Sequence, residues 1–151
     1  MPFQKNFALS TDDDNVWVLG PFHGGPIIGA SESESFFTPD ATPVASWPME
    51  RTGYVSRVYG ITEGGTTTSS ANGPTIDITA KAKAGDTGSP VEVVDIDATT
   101  GPYFDSGELA SGTLPFTGAD YLTGIWTTAG SWTGTGTPSL TMWIEVTVPS
   151  V

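Results

Sequence analysis

The chain of 151 residues carries 17 Asp and Glu against 5 Lys and Arg, a formal net charge of −12, and no cysteine. These numbers exclude disulfides, thiolate metal sites and a cysteine nucleophile, and they argue against nucleic-acid or anionic-membrane partners, which need clustered basic residues. With 11% aromatic residues and many Val, Ile and Thr, the chain can build one core of its own, and no run approaches the ~18 apolar residues of a transmembrane helix.

Residues 1–50 form a first segment. Six of the 12 prolines fall there, at positions 2, 21, 26, 39, 43 and 48. Proline cannot donate to a central ladder, so the segment is expected as an extended arm or a sheet edge, with one short strand at 16–19. Its aromatic residues Phe3, Phe7, Trp17, Phe22, Phe36, Phe37 and Trp47 need a surface to bury against. That surface is either the protein's own domain or a neighbouring subunit. The N-terminus has no apolar stretch of secretory type, so no Sec signal peptide is expected.

Residues 51–151 read as a strand-rich domain. Residues 54–61 are β-branched and aromatic, with Val55, Arg57, Tyr59 and Ile61 opposite Tyr54, Ser56 and Val58. Residues 75–82 set Ile76, Ile78 and Ala80 against Asp77, Thr79 and Lys81. Short apolar strands are expected at 91–96 and 121–126. The clearest alternation is at 140–148. Leu140, Met142, Ile144, Val146 and Val148 share one face there, and Thr141, Trp143, Glu145 and Thr147 the other. Gly- and Pro-rich turns at 63–65, 72–74, 84–88, 100–102 and 130–138 separate these runs, and the low-complexity stretches 66–70 and 133–137 read as loop tips. Helical signals amount to single turns near 31–35 and 105–110. A parallel sheet would need crossover helices that no segment supplies. The expected fold is therefore all-β: an antiparallel β-sandwich or barrel of jelly-roll or Greek-key type, with an extended Pro-rich N-terminal segment.

No catalytic constellation stands out, and no enzyme activity is expected. His23, the only histidine, lies in a Gly/Pro stretch with no nucleophile elbow, so an ordinary loop histidine is expected. Asp12, Asp13 and Asp14, and the pair Asp95 and Asp97, concentrate oxygen ligands and raise calcium binding as a hypothesis. They lack EF-hand spacing, and solvated surface charge or turn capping is the simpler account of each, so no metal or cofactor is assigned. Arg51, Arg57, Lys81 and Lys83 supply most of the positive charge and are expected in ion pairs. Trp126, Trp132 and Trp143 are candidate glycan or interface aromatics. Trp143 lies on the polar face of its strand, and the other two flank a Thr/Gly-rich loop. Aromatic faces stack on sugar rings, and Trp anchors protein interfaces.

Taken together, the chain is small, acidic and all-β, with 19 Gly, 23 Thr and 14 Ser and a Pro-punctuated start. It resembles the small virion proteins of tailed bacteriophages, most of all the head decoration (cement) proteins. The resemblance rests on composition and strand pattern, and no motif transfers residues by position. It implies a non-enzymatic protein on the capsid surface of the virion. The implied partners are the major capsid protein and further copies of itself, with a trimer favoured. Phe3, Phe7, Trp17 and Phe22 are then the expected arm contacts. The alternatives are a carbohydrate-binding module or a tail- or fibre-associated adhesion domain. A coplanar exposed row of Trp126, Trp132 and Trp143 would favour sugar binding.

Overall fold

The computed structural model describes residues 8–10, 15–26, 29, 31–37, 46–49, 51–66, 74–85, 87–96, 102–128 and 135–149. These contain eleven strands: β1 (Ala8–Ser10), β2 (Val16–Gly24), β3 (Ser33–Phe37), β4 (Ser46–Pro48), β5 (Gly53–Thr66), β6 (Thr75–Ala82), β7 (Val91–Asp95), β8 (Tyr103–Asp105), β9 (Pro115–Phe116), β10 (Asp120–Thr127) and β11 (Thr135–Thr147). Among the described residues there is no helix. The 31–35 stretch expected as a helical turn contributes to β3 instead. The 105–110 stretch begins at the end of β8 and continues as irregular chain alongside β5. Gly107 N donates to Asp105 Oδ1 (2.8 Å), Ser106 N and Leu109 N donate to the Val58 and Ser56 carbonyls of β5 (2.8 Å each), and Ser106 Oγ accepts from Val58 N (2.9 Å). Such side-chain bonds compete with a helix.

Every strand pairing is antiparallel. Sheet A is centred on β2, β11 and β5, with β1 beside β2, and β8 and β9 beside β5. Sheet B runs β7–β6–β10, with β3 and β4 sharing the far edge of β10. Strand β3 belongs to both. Its residues 33–35 pair with β10, and Phe36 and Phe37 pair with Gly24 and His23 of β2. The pairing path ends at β7 and at β8, so the sheets do not close into a barrel.

Residues 16–24 are not an arm or an edge. Strand β2 lies inside sheet A, between β11 on one side and β1 and β3 on the other. Pro21 misdirects because it sits at a bulge. The β2–β11 register shifts between Met142 and Ile144, leaving one extra residue on β2 at Gly20-Pro21. A bulged residue is outside the ladder, so the missing proline N–H costs nothing there. Gly20 has φ 124°, and a Cβ on it would lie 2.9 Å from the Met142 carbonyl oxygen. Pro138 occupies a second shift, between Gly136 and Ser139 of β11.

A third bulge corrects the reading of β5. The register shifts between Glu145 and Val146, which places an extra residue at Ser56. Val55 and Val58 therefore both point inward and are fully buried, while Arg57 and Tyr59 share the outer face. Strict alternation had put Val55 with Arg57.

The inward residues of both sheets form one apolar cluster. Leu19, Val58, Met142 and Ile144 come from sheet A, and Ile76, Ile78, Leu122 and Trp126 from sheet B. Trp126 is 0% exposed, and its Nε1 donates to the Gly25 carbonyl at 3.2 Å. That bond satisfies the indole while its ring fills the core. Trp126→Ala removes the largest fully buried side chain and is expected to lower unfolding free energy by about 3–5 kcal/mol, measured by guanidinium denaturation.

On the outer face of sheet B, Asp77 stands opposite Glu92 of β7 and Ile125 of β10. Its Oδ1 is buried with no hydrogen-bond partner. Burial holds its pKa above the ordinary 3.8. The folded chain thus binds this proton more tightly than the unfolded chain. The contribution of Asp77 to stability is best below the ordinary carboxylate range and worsens as pH rises through its raised pKa. Asp77→Asn is expected to raise the melting temperature at neutral pH, with the gain disappearing in acid. A thermal melt series over pH checks this.

Candidate binding site

The outer face of sheet A gathers the side chains with the most chemistry to offer. Cross-strand pairing sets three rows. The first joins Val18, Glu145 and Arg57, the second Trp143, Tyr59 and Asp105, and the third His23, Thr141, Ile61 and Tyr103. Alternation along β11 presents Trp143 and Glu145 outward because Met142, Ile144 and Val146 are buried. Alternation along β5 puts Arg57 and Tyr59 on the same outer face, and the Ser56 bulge turns Val55 inward, away from them.

Tyr59 and Trp143, directly opposite each other, stack with ring centroids 5.9 Å apart and planes at 17°. Such cross-strand aromatic pairs stabilise sheets by about 0.2–1 kcal/mol. The Arg57 guanidinium sits 5.5 Å from the Tyr59 centroid, in cation–π range. It also forks onto Asp105, Nε to Oδ1 at 2.9 Å and Nη2 to Oδ2. The result is a ladder of Trp143, Tyr59, Arg57 and Asp105 spread over three strands. His23 Nδ1 lies 3.1 Å from Thr141 Oγ1 at the other side of the face.

The electrostatics follow from these contacts. Arg57 is held as a cation by its hydrogen bonds to Asp105 and by the nearby charges of Asp105 and Glu145. The same hydrogen bonds, with help from Gly107 N, keep the Asp105 carboxyl below its ordinary pKa. Burial, then the charge of Glu145, pushes the Tyr59 phenol up, so it stays neutral and able to donate.

Beside the ladder, between β5 and β8, is an open depression of about 390 Å³ lined by Tyr59, Gly60, Tyr103, Phe104 and Asp105. Gly60 is required for its shape. A Cβ there would collide with the Thr141 carbonyl oxygen and lie 2.6 Å from Phe104 Cζ. Phe104 therefore tucks inward, 3% exposed, while its neighbour Tyr103 stands 70% exposed on the outer face.

Of the residues singled out from sequence, Trp143 belongs to this face. Trp126 does not, being wholly buried, so it has no place in an exposed aromatic row. Trp132, Phe3, Phe7, Asp12, Asp13, Asp14 and Asp97 lie outside the described residues. Asp95 is in β7, opposite Thr75. Phe22, expected as an arm contact, is 5% exposed in the chain's own core, and the half-buried Trp17 packs against that core. His23 is in β2 rather than a loop. Among the described residues, no group of three or more His, Asp or Glu converges to hold a metal ion. Sequence reasoning missed Tyr59, Tyr103 and Asp105. The outward alternation of Tyr59 was legible, but the partners that make it a ladder come from register and bulges. Compared with known proteins, the chain matches no family model, no curated protein and no solved structure.

The Arg57–Asp105 pair is 44% and 43% exposed, so water screens it and its net worth is below about 1 kcal/mol. Its pH signature is nevertheless distinct. A lowered folded pKa adds stability above the ordinary carboxylate range, lost as pH falls through the depressed value. Arg57→Ala is expected to return the Asp105 titration toward the ordinary range, read by side-chain carboxyl NMR, with little change in midpoint of unfolding.

Proposed function

We propose that the protein is a non-enzymatic structural protein of a virus particle, a decoration protein that attaches to the capsid surface through the outer face of sheet A. The observation that carries this reading is the ladder of Trp143, Tyr59 and Arg57. Trp, Tyr and Arg are the residues that most often anchor protein interfaces. Here they are held by stacking and by an ion pair before any partner arrives, so little side-chain entropy is lost on docking. The acidic, Thr- and Ser-rich composition supports dense display, since like charge opposes self-association of crowded copies. Repetition on a lattice, as a trimer or as many single copies, turns modest contacts into strong attachment.

The finer architecture belongs to the same proposal. The two sheets are taken to pack as a β-sandwich over their shared apolar cluster. The pairing of an early strand, β2, with the last strand, β11, calls for the long returning connections of a Greek-key or jelly-roll arrangement.

Quantitative mass spectrometry of gradient-purified particles tests the role. The expected result is many copies in fixed ratio to the major shell protein. Absence from particles overturns it. Trp143→Ala, with its fold checked by circular dichroism, is expected to lose co-sedimentation with particles. Undiminished co-sedimentation removes the ladder as the attachment site.

A further inference from the structure

The geometry points to a second ligand on the same sheet: the depression between β5 and β8 is a binding site for a neutral pyranose sugar, with Tyr103 as its stacking platform and Asp105 and Arg57 as its hydrogen-bonding groups. This inference stands apart from attachment to a capsid. It rests on the depression, its lining and the Arg57 guanidinium bonded to Asp105, and it shares Tyr59 and Arg57 with the ladder without depending on that reading.

Tyr103 is the first ground. Among the described residues only Val91 and Tyr103 are large hydrophobics left exposed, and Tyr103 is by far the more open, at 70%. Among the described residues it is the neighbouring Phe104, and not Tyr103, that supplies the buried contact of β8. An aromatic face carries negative charge density at its centre. The C–H groups on one face of a pyranose carry the complementary positive edge, and they shed water on stacking.

The second ground is unused hydrogen-bonding capacity in fixed positions. Asp105 accepts from Arg57 Nε, Arg57 Nη2 and Gly107 N. A carboxylate offers roughly four acceptor sites, so one on Oδ2 remains for a sugar hydroxyl. Arg57 uses two of its roughly five N–H donors on Asp105, leaving donors for hydroxyl oxygens. The Tyr59 phenol adds a neutral group that both donates and accepts. A vicinal diol needs this combination of donor and acceptor held at fixed spacing, and the fork between Arg57 and Asp105 supplies it before the ligand arrives.

Size and charge choose among ligands. The depression, about 390 Å³, is near the small end of ligand sites, which run from about 300 to 1,000 Å³. It suits one or two rings rather than a folded partner. The Asp105 carboxylate in its lining, in a chain of net charge −12, disfavours phosphates, sulfated sugars and sialic acids. Neutral hexoses and N-acetylhexosamines remain.

Saturation-transfer-difference NMR on the full chain with glucose, galactose, mannose and N-acetylglucosamine tests the site. The expected result is transfer to the ring C–H protons of at least one sugar. Tyr103→Ala, at so exposed a position, leaves the fold intact and is expected to weaken binding about tenfold, the size of one aromatic contact. Tyr103→Trp is expected to restore it. Transfer that persists unchanged in Tyr103→Ala overturns the placement of the site. Absence of transfer with all four sugars at millimolar concentration overturns the inference. Neither result bears on particle attachment, which Trp143→Ala reads separately.

Discussion

The whole arrangement depends on β11 being satisfied on both edges and different on its two faces. Along one edge it pairs with β2, along the other with β5. Its inner residues Leu140, Met142, Ile144 and Val146 lie in the apolar cluster, and its outer residues carry Trp143 and Glu145. Burial of the inner set fixes the register, because a slip of one residue would exchange the two faces entirely. The position of the ladder is therefore not decided by the ladder. It is set by the hydrophobic requirement on the other side of the same strand, and the aromatic and charged groups are carried into place by it.

Bulges then adjust what simple alternation cannot. The extra residue at Ser56 turns Val55 inward with Val58 while Arg57 and Tyr59 keep the outer face. The extra residue at Gly20-Pro21 lets a proline lie within an interior strand. Two of the five basic residues hold parts of the chain together. Arg57 binds Asp105, and Lys83 Nζ donates to the carbonyls of Met49 (2.8 Å) and Gly118 (2.9 Å), tying two connecting segments together beside sheet B.

Much of the fold was legible where one period governed. The two faces of 140–148 and of 75–82 read correctly because each strand has a single buried side, apart from Thr79, which is outward yet buried under the Gly88 backbone. Legibility failed where a local signal had two meanings. Prolines 21 and 138 suggested edges and turns, yet mark bulges inside long strands. Ser33 to Phe37 mixes small polar and aromatic residues with no helical or strand period, and only its pairing with both β10 and β2 makes it a strand. The candidate site was half visible. Trp143 was found from its place on a polar face. Tyr103 and Asp105 were not, because a three-residue strand has no pattern of its own. Trp126 was misjudged because it was read with the Thr/Gly-rich stretch that follows it, whereas it closes the apolar run 121–126 and alternates inward with Leu122 and Gly124.

The pairing of β2 with β11 also decides how the molecule meets mechanical load. Val16 stands opposite Thr147, and Val148 N donates to the Asn15 carbonyl at 2.7 Å. The chain thus enters β2 and leaves β11 at the same end of sheet A. A pull applied through these two points draws the strands apart from that end, like a zipper. It breaks the ladder one rung at a time, never loading the rungs together in shear. Each rung alone contributes only about 0.5–1.5 kcal/mol net. A protein built this way resists force poorly through these two points and far better through its broad face, where strain is shared across β2, β11, β5 and β8 at once.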